Sequence, residues 1–152
     1  MIITVTGSRH ARAPHHETRM RTVLFWLIGD HDILGMELWH GGAAGADLFC
    51  AGVADRLGVR TRRFDVDWAG PCRDICKPGH RASRAQWGND TYCPMAGMYR
   101  NDDMITALSP HLGTAVVLAF PVKGLANRGT TDCRDRALAA GLPTLVFPLE
   151  PA

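Results

Sequence analysis

The segment PCRDICKPGHRASRAQWGNDTYCP, residues 71 to 94, brings three cysteines and a histidine together with the spacing C-x3-C-x3-H-x12-C. Cys72, Cys76, His80 and Cys93 are the donor set of a tetrahedral Cys3His zinc site. Four protein donors leave no open coordination position, so the expected zinc is structural rather than catalytic. The alternative is a group of reduced, unligated thiols beside a solvated histidine. Pairing of Cys72 with Cys76 is the poorer reading, because dithiol chemistry uses CxxC and this spacing is CxxxC. The other two cysteines, Cys50 and Cys133, fall on apolar helix faces, where a thiol acts as a small hydrophobe. Residues 67 to 97 have almost no hydrophobic periodicity, and a loop of that length needs something to hold it. Zinc would supply it.

A second set of residues suits an anion. LWHGGAAGAD, residues 38 to 47, crowds three glycines between a hydrophobic run and a helical run, at a cost in backbone entropy. Gly7-Ser8-Arg9 follows the first apolar run, and Arg128-Gly129-Thr130-Thr131 follows the strongest one. The turns ending at Gly45 and Arg128 run straight into helix N-termini, where free N–H groups and the helix dipole attract phosphate. Small residues at Gly41, Gly42, Gly45 and Gly129 would let phosphate oxygens approach the main chain. Asp47, in a first helical turn, suits a cap or a ribose hydroxyl. None of the turns has GxGxxG or Walker A spacing, and each alone reads equally well as a tight turn.

Two further groups stand near these turns. Arg73, Arg81, Arg84, Trp68 and Trp87 precede Tyr99-Arg100-Asn101, and read either as a lid that stacks on a base and pairs with phosphate or as packing and a solvated face. His10, His15 and His16 read as a polar loop, with Glu17 the sole carboxylate placed near them by spacing.

The elements that would position these residues follow from periodicity. Ile2 to Val5 is a short buried strand. Met20, Val23, Leu24, Leu27 and Ile28 recur at helical spacing, predicting a helix over 17 to 29. Ile33 to Leu38 reads as a second strand. Ala46, Phe49, Cys50, Val53, Ala54 and Leu57 form one helical face ended by Gly58. Residues 61 to 66 read as a strand, 100 to 108 as a short helix, 114 to 121 as a central strand, about 130 to 140 as a helix, and PTLVFPL as a final strand. Alternating strands and helices predict an α/β, Rossmann-like doubly wound parallel sheet of about five strands, with helices on both faces. Ligands bind such sheets at the carboxyl ends of the strands.

Composition sets outer bounds. A chain of 152 residues with 46% hydrophobic and 21% charged residues makes one globular domain, 1–152, carrying a Cys/His-rich insertion at about 67–97. A net charge of +2 does not argue for a nucleic-acid or membrane partner. The longest apolar run, Val23 to Ile28, is far short of the roughly 18 residues of a membrane span. The chain opens directly on MIITV, and these features together predict a cytoplasmic protein.

TGSR after the first strand, HGGAAGAD after the second, YRNDDM opening the third helix and RGTTDC opening the fourth resemble the SLOG superfamily, in particular its YspA-like branch. That branch is related to the lonely-guy phosphoribohydrolases and the DprA DNA-processing proteins. The resemblance runs over nearly the whole chain. It implies a Rossmann-like domain that binds a nucleotide or nucleotide derivative, of the ADP-ribose or NAD type. Arg100 matches an arginine that lonely-guy enzymes carry before their PGGxGTxxE motif, and Gly129 and Thr130 match its GT. The glutamate of that motif falls on Cys133, and its paired glycines on Ala126-Asn127. Binding is therefore carried over better than N-glycosidic hydrolysis, which would need neighbouring Asp132 in place of the glutamate.

Three functions follow. In the first, the chain senses or sequesters a nucleotide through Gly7, Ser8, Arg9, Gly41, Gly42, Gly45, Arg100, Arg128, Gly129 and Thr130, with Asp47 or Asn101 on the ribose. In the second, a phosphoribohydrolase-type enzyme uses Arg100 with Asp132 or Asp47 as catalytic residues. The third is single-stranded DNA binding, which needs a basic groove interleaved with aromatics that only the cysteine segment offers. The apolar stripe on 17 to 28 would serve to pair two copies as a homodimer.

Overall fold

The structure is a computed structural model that describes residues 1–29, 31–83 and 90–152. Arg84 and Trp87 lie outside the described residues. In chain order the elements are β1 (Ile2–Gly7), α1 (Pro14–Ile28), β2 (Glu37–His40), α2 (Ala46–Arg56), β3 (Arg60–Arg63), β4 (Ala82–Ser83), β5 (Thr91–Tyr92), α3 (Ala96–Leu108), β6 (Ala115–Phe120), α4 (Arg128–Ala139) and β7 (Thr144–Val146).

Six buried residues in a row make β6 a strand with both faces covered, and it lies beside β1 in a five-stranded parallel sheet of order β3-β2-β1-β6-β7. Because successive side chains of a strand point to opposite faces, the two layers sort by parity. Ile3, Val5, Leu38, Val116, Leu118 and Phe120 pack with Met20, Val23, Leu24, Cys50 and Val53 of α1 and α2. Ile2, Trp39, Ala115 and Val117 pack with Met104, Ile105, Leu108, Cys133 and Ala137 of α3 and α4. Burial of each large aliphatic side chain contributes about 1.5–3 kcal/mol. The expected α/β architecture with helices on both faces is what the chain adopts.

Boundaries depart from the sequence reading at several places, with α1 starting three residues early at Pro14 and β3 ending at Arg63 rather than at 66. Ile33–Gly35 is a 3-10 turn capped by Asp32, whose carboxylate accepts the Leu34 N–H at 3.0 Å, and β2 begins only at Glu37. The third helix starts at Ala96, four residues before the expected position, because Cys93-Pro94-Met95 supply its entry. The insertion contains a short antiparallel ladder, with Ala82 opposite Tyr92 and Ser83 opposite Thr91. The apolar stripe on α1 is spent on the core, since Met20, Val23, Leu24 and Ile28 are buried; Phe25 and Trp26 are the exposed large side chains of that helix.

His16 is fully buried rather than part of a polar loop. Its Nδ1 accepts the Ala13 N–H at 3.3 Å and its Nε2 meets the Glu150 carbonyl oxygen at 2.5 Å, so it caps α1 and ties the C-terminal segment to it. At the far edge of the sheet, all four residues of β3 are exposed. No helix among the described residues is long and apolar enough to cross a membrane.

Candidate functional site

In this strand order the chain leaves β1 toward β2 on one side, while β6 lies on the other. The carboxyl ends of β1 and β6 therefore flank the point where the winding reverses, which in such sheets opens a crevice. A cleft of about 350 Å³ lies there, lined by the β1 turn (Gly7, Ser8, Arg9, His10), Asp47, Arg100, Asn101 and the α4 entry (Asn127, Arg128, Gly129, Thr130).

One wall is the α4 N-terminus. Its first helical hydrogen bond is Thr131 N–H to Asn127 C=O at 2.9 Å, so the N–H groups of Arg128, Gly129 and Thr130 precede the helical ladder. Asn127 builds this entry from a left-handed backbone (φ 44°), which asparagine tolerates better than most residues. Its side chain accepts the Val122 N–H at 3.2 Å and donates to the carbonyls of Val122 (2.7 Å) and Leu125 (2.9 Å). A Cβ at Gly129 would meet only open space, so main chain faces the cleft there.

The glycines of the β2–α2 turn sit one layer back. A Cβ on Gly41 would strike the Arg100 guanidinium, one on Gly42 the Arg63 side chain, and one on Gly45 the Ser8–Arg9 main chain. The Ala46 N–H, at the start of α2, is already taken by the Ser8 carbonyl at 3.2 Å. Gly41, Gly42 and Gly45 let the turn close against β1 and Arg100, and do not themselves line the cleft.

What that turn delivers is Asp47. Its Oδ2 accepts the Gly41 N–H at 3.0 Å and the Ala43 N–H at 3.4 Å, while its Oδ1 is buried with no hydrogen-bond partner. Burial pushes this carboxyl up to about 6, against the pull of the Arg100 charge and of the Ala43, Gly41 and Gly7 N–H groups. At the end of β2, His40 Nδ1 accepts the Gly42 N–H at 3.1 Å. Burial, followed by the charge of Arg63, holds His40 below the usual histidine range.

Arg100 and Asn101 come from α3. The Arg100 guanidinium donates to the Gly41 carbonyl and to the Phe64 carbonyl at 3.2 Å, and its Nε donates to Asn101 Oδ1 at 3.0 Å. Asn101 Nδ2 donates to the Gly129 carbonyl at 3.2 Å and to Asp132 Oδ2 at 2.9 Å. Asp132 is held by Arg136 Nε at 3.0 Å and does not line the cleft. Among the described residues Asp47 is the carboxylate of the cleft wall, which it shares with Arg9, Arg100 and Arg128.

Beyond the amino end of α3 lies the cysteine segment. The ligand atoms of Cys72, Cys76, His80 and Cys93 all lie within 4.8 Å of one another, close enough to bind one metal ion. Cys76 and Cys93 sulfurs are 3.8 Å apart, and Cys93 Sγ is 3.7 Å from His80 Nε2. Tetrahedral donors at zinc–sulfur lengths stand about 3.8 Å apart, so these separations fit one ion, with Cys72 Sγ to His80 Nε2 closer at 2.9 Å. Arg81 staples the module from inside, donating to the carbonyls of Gly70 (2.8 Å) and Thr91 (3.0 Å) and to Cys72 Sγ at 3.6 Å.

Arg73 is exposed and committed to α3: it forks onto Asp103 at 2.8 and 2.7 Å and lies 4.7 Å from the Tyr99 ring centre. Trp68 packs edge-on to Tyr92 at 6.0 Å. Among the described residues, none of the segment 67–97 lines the cleft, so this part packs on α3 instead of covering it. Asn127, His40 and Tyr99 carry no spacing signal; the left-handed tolerance of asparagine in the glycine-bearing loop after β6 is the local hint for Asn127.

No protein-family model matches the chain, and no curated protein matches it. Among solved structures it is similar to the X-ray structure of DNA processing protein A (DprA) from Streptococcus pneumoniae, with a TM-score of 0.49 and 14% identity over 94% of this chain. The chain spans 57% of the length of that protein.

Proposed function

We propose that the chain binds a nucleotide or nucleotide derivative at the winding reversal of its sheet, as a sensing or sequestering domain. The observation that carries the reading is the convergence of the free α4 N-terminus, three arginines and one half-satisfied carboxylate on a single cleft. A phosphate would sit on the N–H groups of residues 128 to 130 with Arg9 and Arg128, where the helix dipole adds to charge-assisted hydrogen bonds. Asp47 Oδ1 would accept a ribose hydroxyl, which supplies the donor that it lacks. This agrees with what the resemblance to the YspA-like branch of the SLOG superfamily implies, ligands of the ADP-ribose or NAD type included.

Hydrolysis of an N-glycosidic bond is the second reading, and the ion pairing of Asp132 with Arg136 moves its catalytic carboxylate to Asp47. Cys72, Cys76, His80 and Cys93 would hold structural zinc, because three thiols and an imidazole gathered within 4.8 Å of one another suit that ion. The test is native mass spectrometry of the gently purified protein, alone and mixed with AMP, NAD, ADP-ribose and cyclic nucleotides. Retention of an intact nucleotide on zinc-loaded protein is the expected result. A ligand returned without its base would favour the hydrolase, and retention of none would sink nucleotide binding.

A further inference from the structure

Helix α3 has two ends of chemistry on one turn and a half. Its entry residue Cys93 is a member of the metal-binding set, and the Ala96 N–H donates to the Cys93 carbonyl at 3.0 Å. Tyr99 follows, buried among Cys93 and Ala96 with Val66, Trp68, Cys72, Cys76 and Met95 packed around that group. Its hydroxyl contacts Cys76 Sγ, lies 3.6 Å from Cys93 Sγ and accepts the Arg73 N–H at 3.2 Å. The next residues, Arg100 and Asn101, face the cleft.

A second path runs parallel to the helix. Arg100 donates to the Phe64 carbonyl, and four residues on, the Trp68 carbonyl accepts the Cys93 N–H at 3.0 Å. The Arg100 guanidinium is thus held between the Gly41 carbonyl at the sheet edge and the Phe64 carbonyl, where the chain leads from β3 into the cysteine segment. Among the described residues the fully buried apolar group at the cluster is small, comprising Cys93, Ala96 and Tyr99.

We infer that Tyr99 is a positioning residue through which the metal centre sets the placement of Arg100, so that metal occupancy and affinity for a nucleotide phosphate rise and fall together. The nucleotide half of this statement rests on the proposed function; the mechanical half does not. With the thiolates gathered on one ion, sulfur offers the Tyr99 O–H a charged acceptor, and the first turns of α3 are pinned. Without the ion the cysteines separate, the hydroxyl loses that acceptor, and the α3 entry loosens together with Arg100. Linkage then requires that a nucleotide tighten metal retention by the same factor by which metal tightens the nucleotide.

The test compares wild-type protein and Tyr99→Phe, each loaded with cobalt(II) as a spectroscopic stand-in for zinc and each stripped. Thiolate-to-cobalt absorption confirms four-coordinate loading in both, so a variant that merely lost its metal is recognised. Hydrogen exchange at residues 96 to 101 and at Gly41 is read first. Loading should slow it at least tenfold in the wild type, and much less in loaded Tyr99→Phe. AMP titration should show affinity falling at least tenfold on stripping, and loaded Tyr99→Phe should resemble the stripped wild type.

Exchange that is equal with and without metal, or equally protected in Tyr99→Phe, overturns the coupling. If exchange behaves as expected while loaded wild type ignores AMP, the mechanical coupling stands and the nucleotide reading fails by itself.

Discussion

A Cβ added to Gly45 would stand 2.7 Å from the Arg9 carbonyl oxygen, with the Ser8 carbonyl oxygen closer still. The β2–α2 turn and the β1 turn are therefore in main-chain contact, and that contact sets the depth at which Asp47 enters the cleft. Gly45 also has φ +83°, a region where a side chain is strained. Gly45→Ala should cost roughly 2 kcal/mol or more, from backbone strain and the clash together. Urea unfolding would register this as a lower midpoint with an unchanged slope; Gly129→Ala, which meets open space, should leave the midpoint within experimental error.

Stability should depend on Asp47 in an unusual direction. Burial raises its carboxyl from 3.8 to about 6, so the folded state binds the proton more tightly than the unfolded state. The contribution is present in full below pH 4 and is lost as pH rises through about 6, a change on the order of 3 kcal/mol from the size of the shift. Asp47→Asn should flatten this part of the profile and gain stability relative to wild type above pH 6. Unfolding free energies measured from pH 4 to 8 decide it, and superimposable profiles would remove Asp47 from the account.

Arg100→Ala deletes the cation facing Asp47 and the donor to the Gly41 and Phe64 carbonyls. Loss of charged hydrogen bonds of about 1.5–3 kcal/mol predicts a weakening of AMP binding by roughly 10- to 100-fold. Calorimetric titration with circular dichroism alongside would separate lost binding from lost fold. Undiminished affinity would place the phosphate elsewhere.

Metal analysis of the purified protein should find one zinc per chain. Chelation should lower the melting temperature by roughly 10 °C or more, because the segment 67–97 would lose the centre that gathers it. Cys93→Ser should do so without a chelator, whereas Cys133→Ala, on the α4 face far from that set, should leave the zinc content at one.

The sheet was legible from sequence where a strand is buried on both faces: the run from Ala115 to Phe120 admits no other reading. It was less legible at Ile33–Gly35, where an apolar pair is used in a capped turn, and at Arg60–Arg63, whose side chains carry no apolar signal. For the candidate site, the spacing of Cys72, Cys76, His80 and Cys93 announced a cluster because ligand types are scarce and chemically distinct. The glycines announced only that side chains were missing. What occupies the vacated space is another part of the chain at Gly41, Gly42 and Gly45 and open cleft at Gly129, a distinction set by tertiary packing. Pairing of Asp132 with Asn101, and of Arg73 with Asp103, is likewise decided by tertiary packing, whereas Asp132 with Arg136 is an i, i+4 pair within α4.

The exposed strand β3 has a consequence for the chain in crowded solution. A bare sheet edge offers unpaired main-chain groups to any passing strand, and addition of a second copy there would be the first step of aggregation. Here the edge reads Arg60-Thr61-Arg62-Arg63, with Arg62 lying flat over Trp39 and Phe64, 4.6 Å from each ring centre. A second identical edge would bring like charges face to face, so the arginines act as gatekeepers that keep the sheet at five strands.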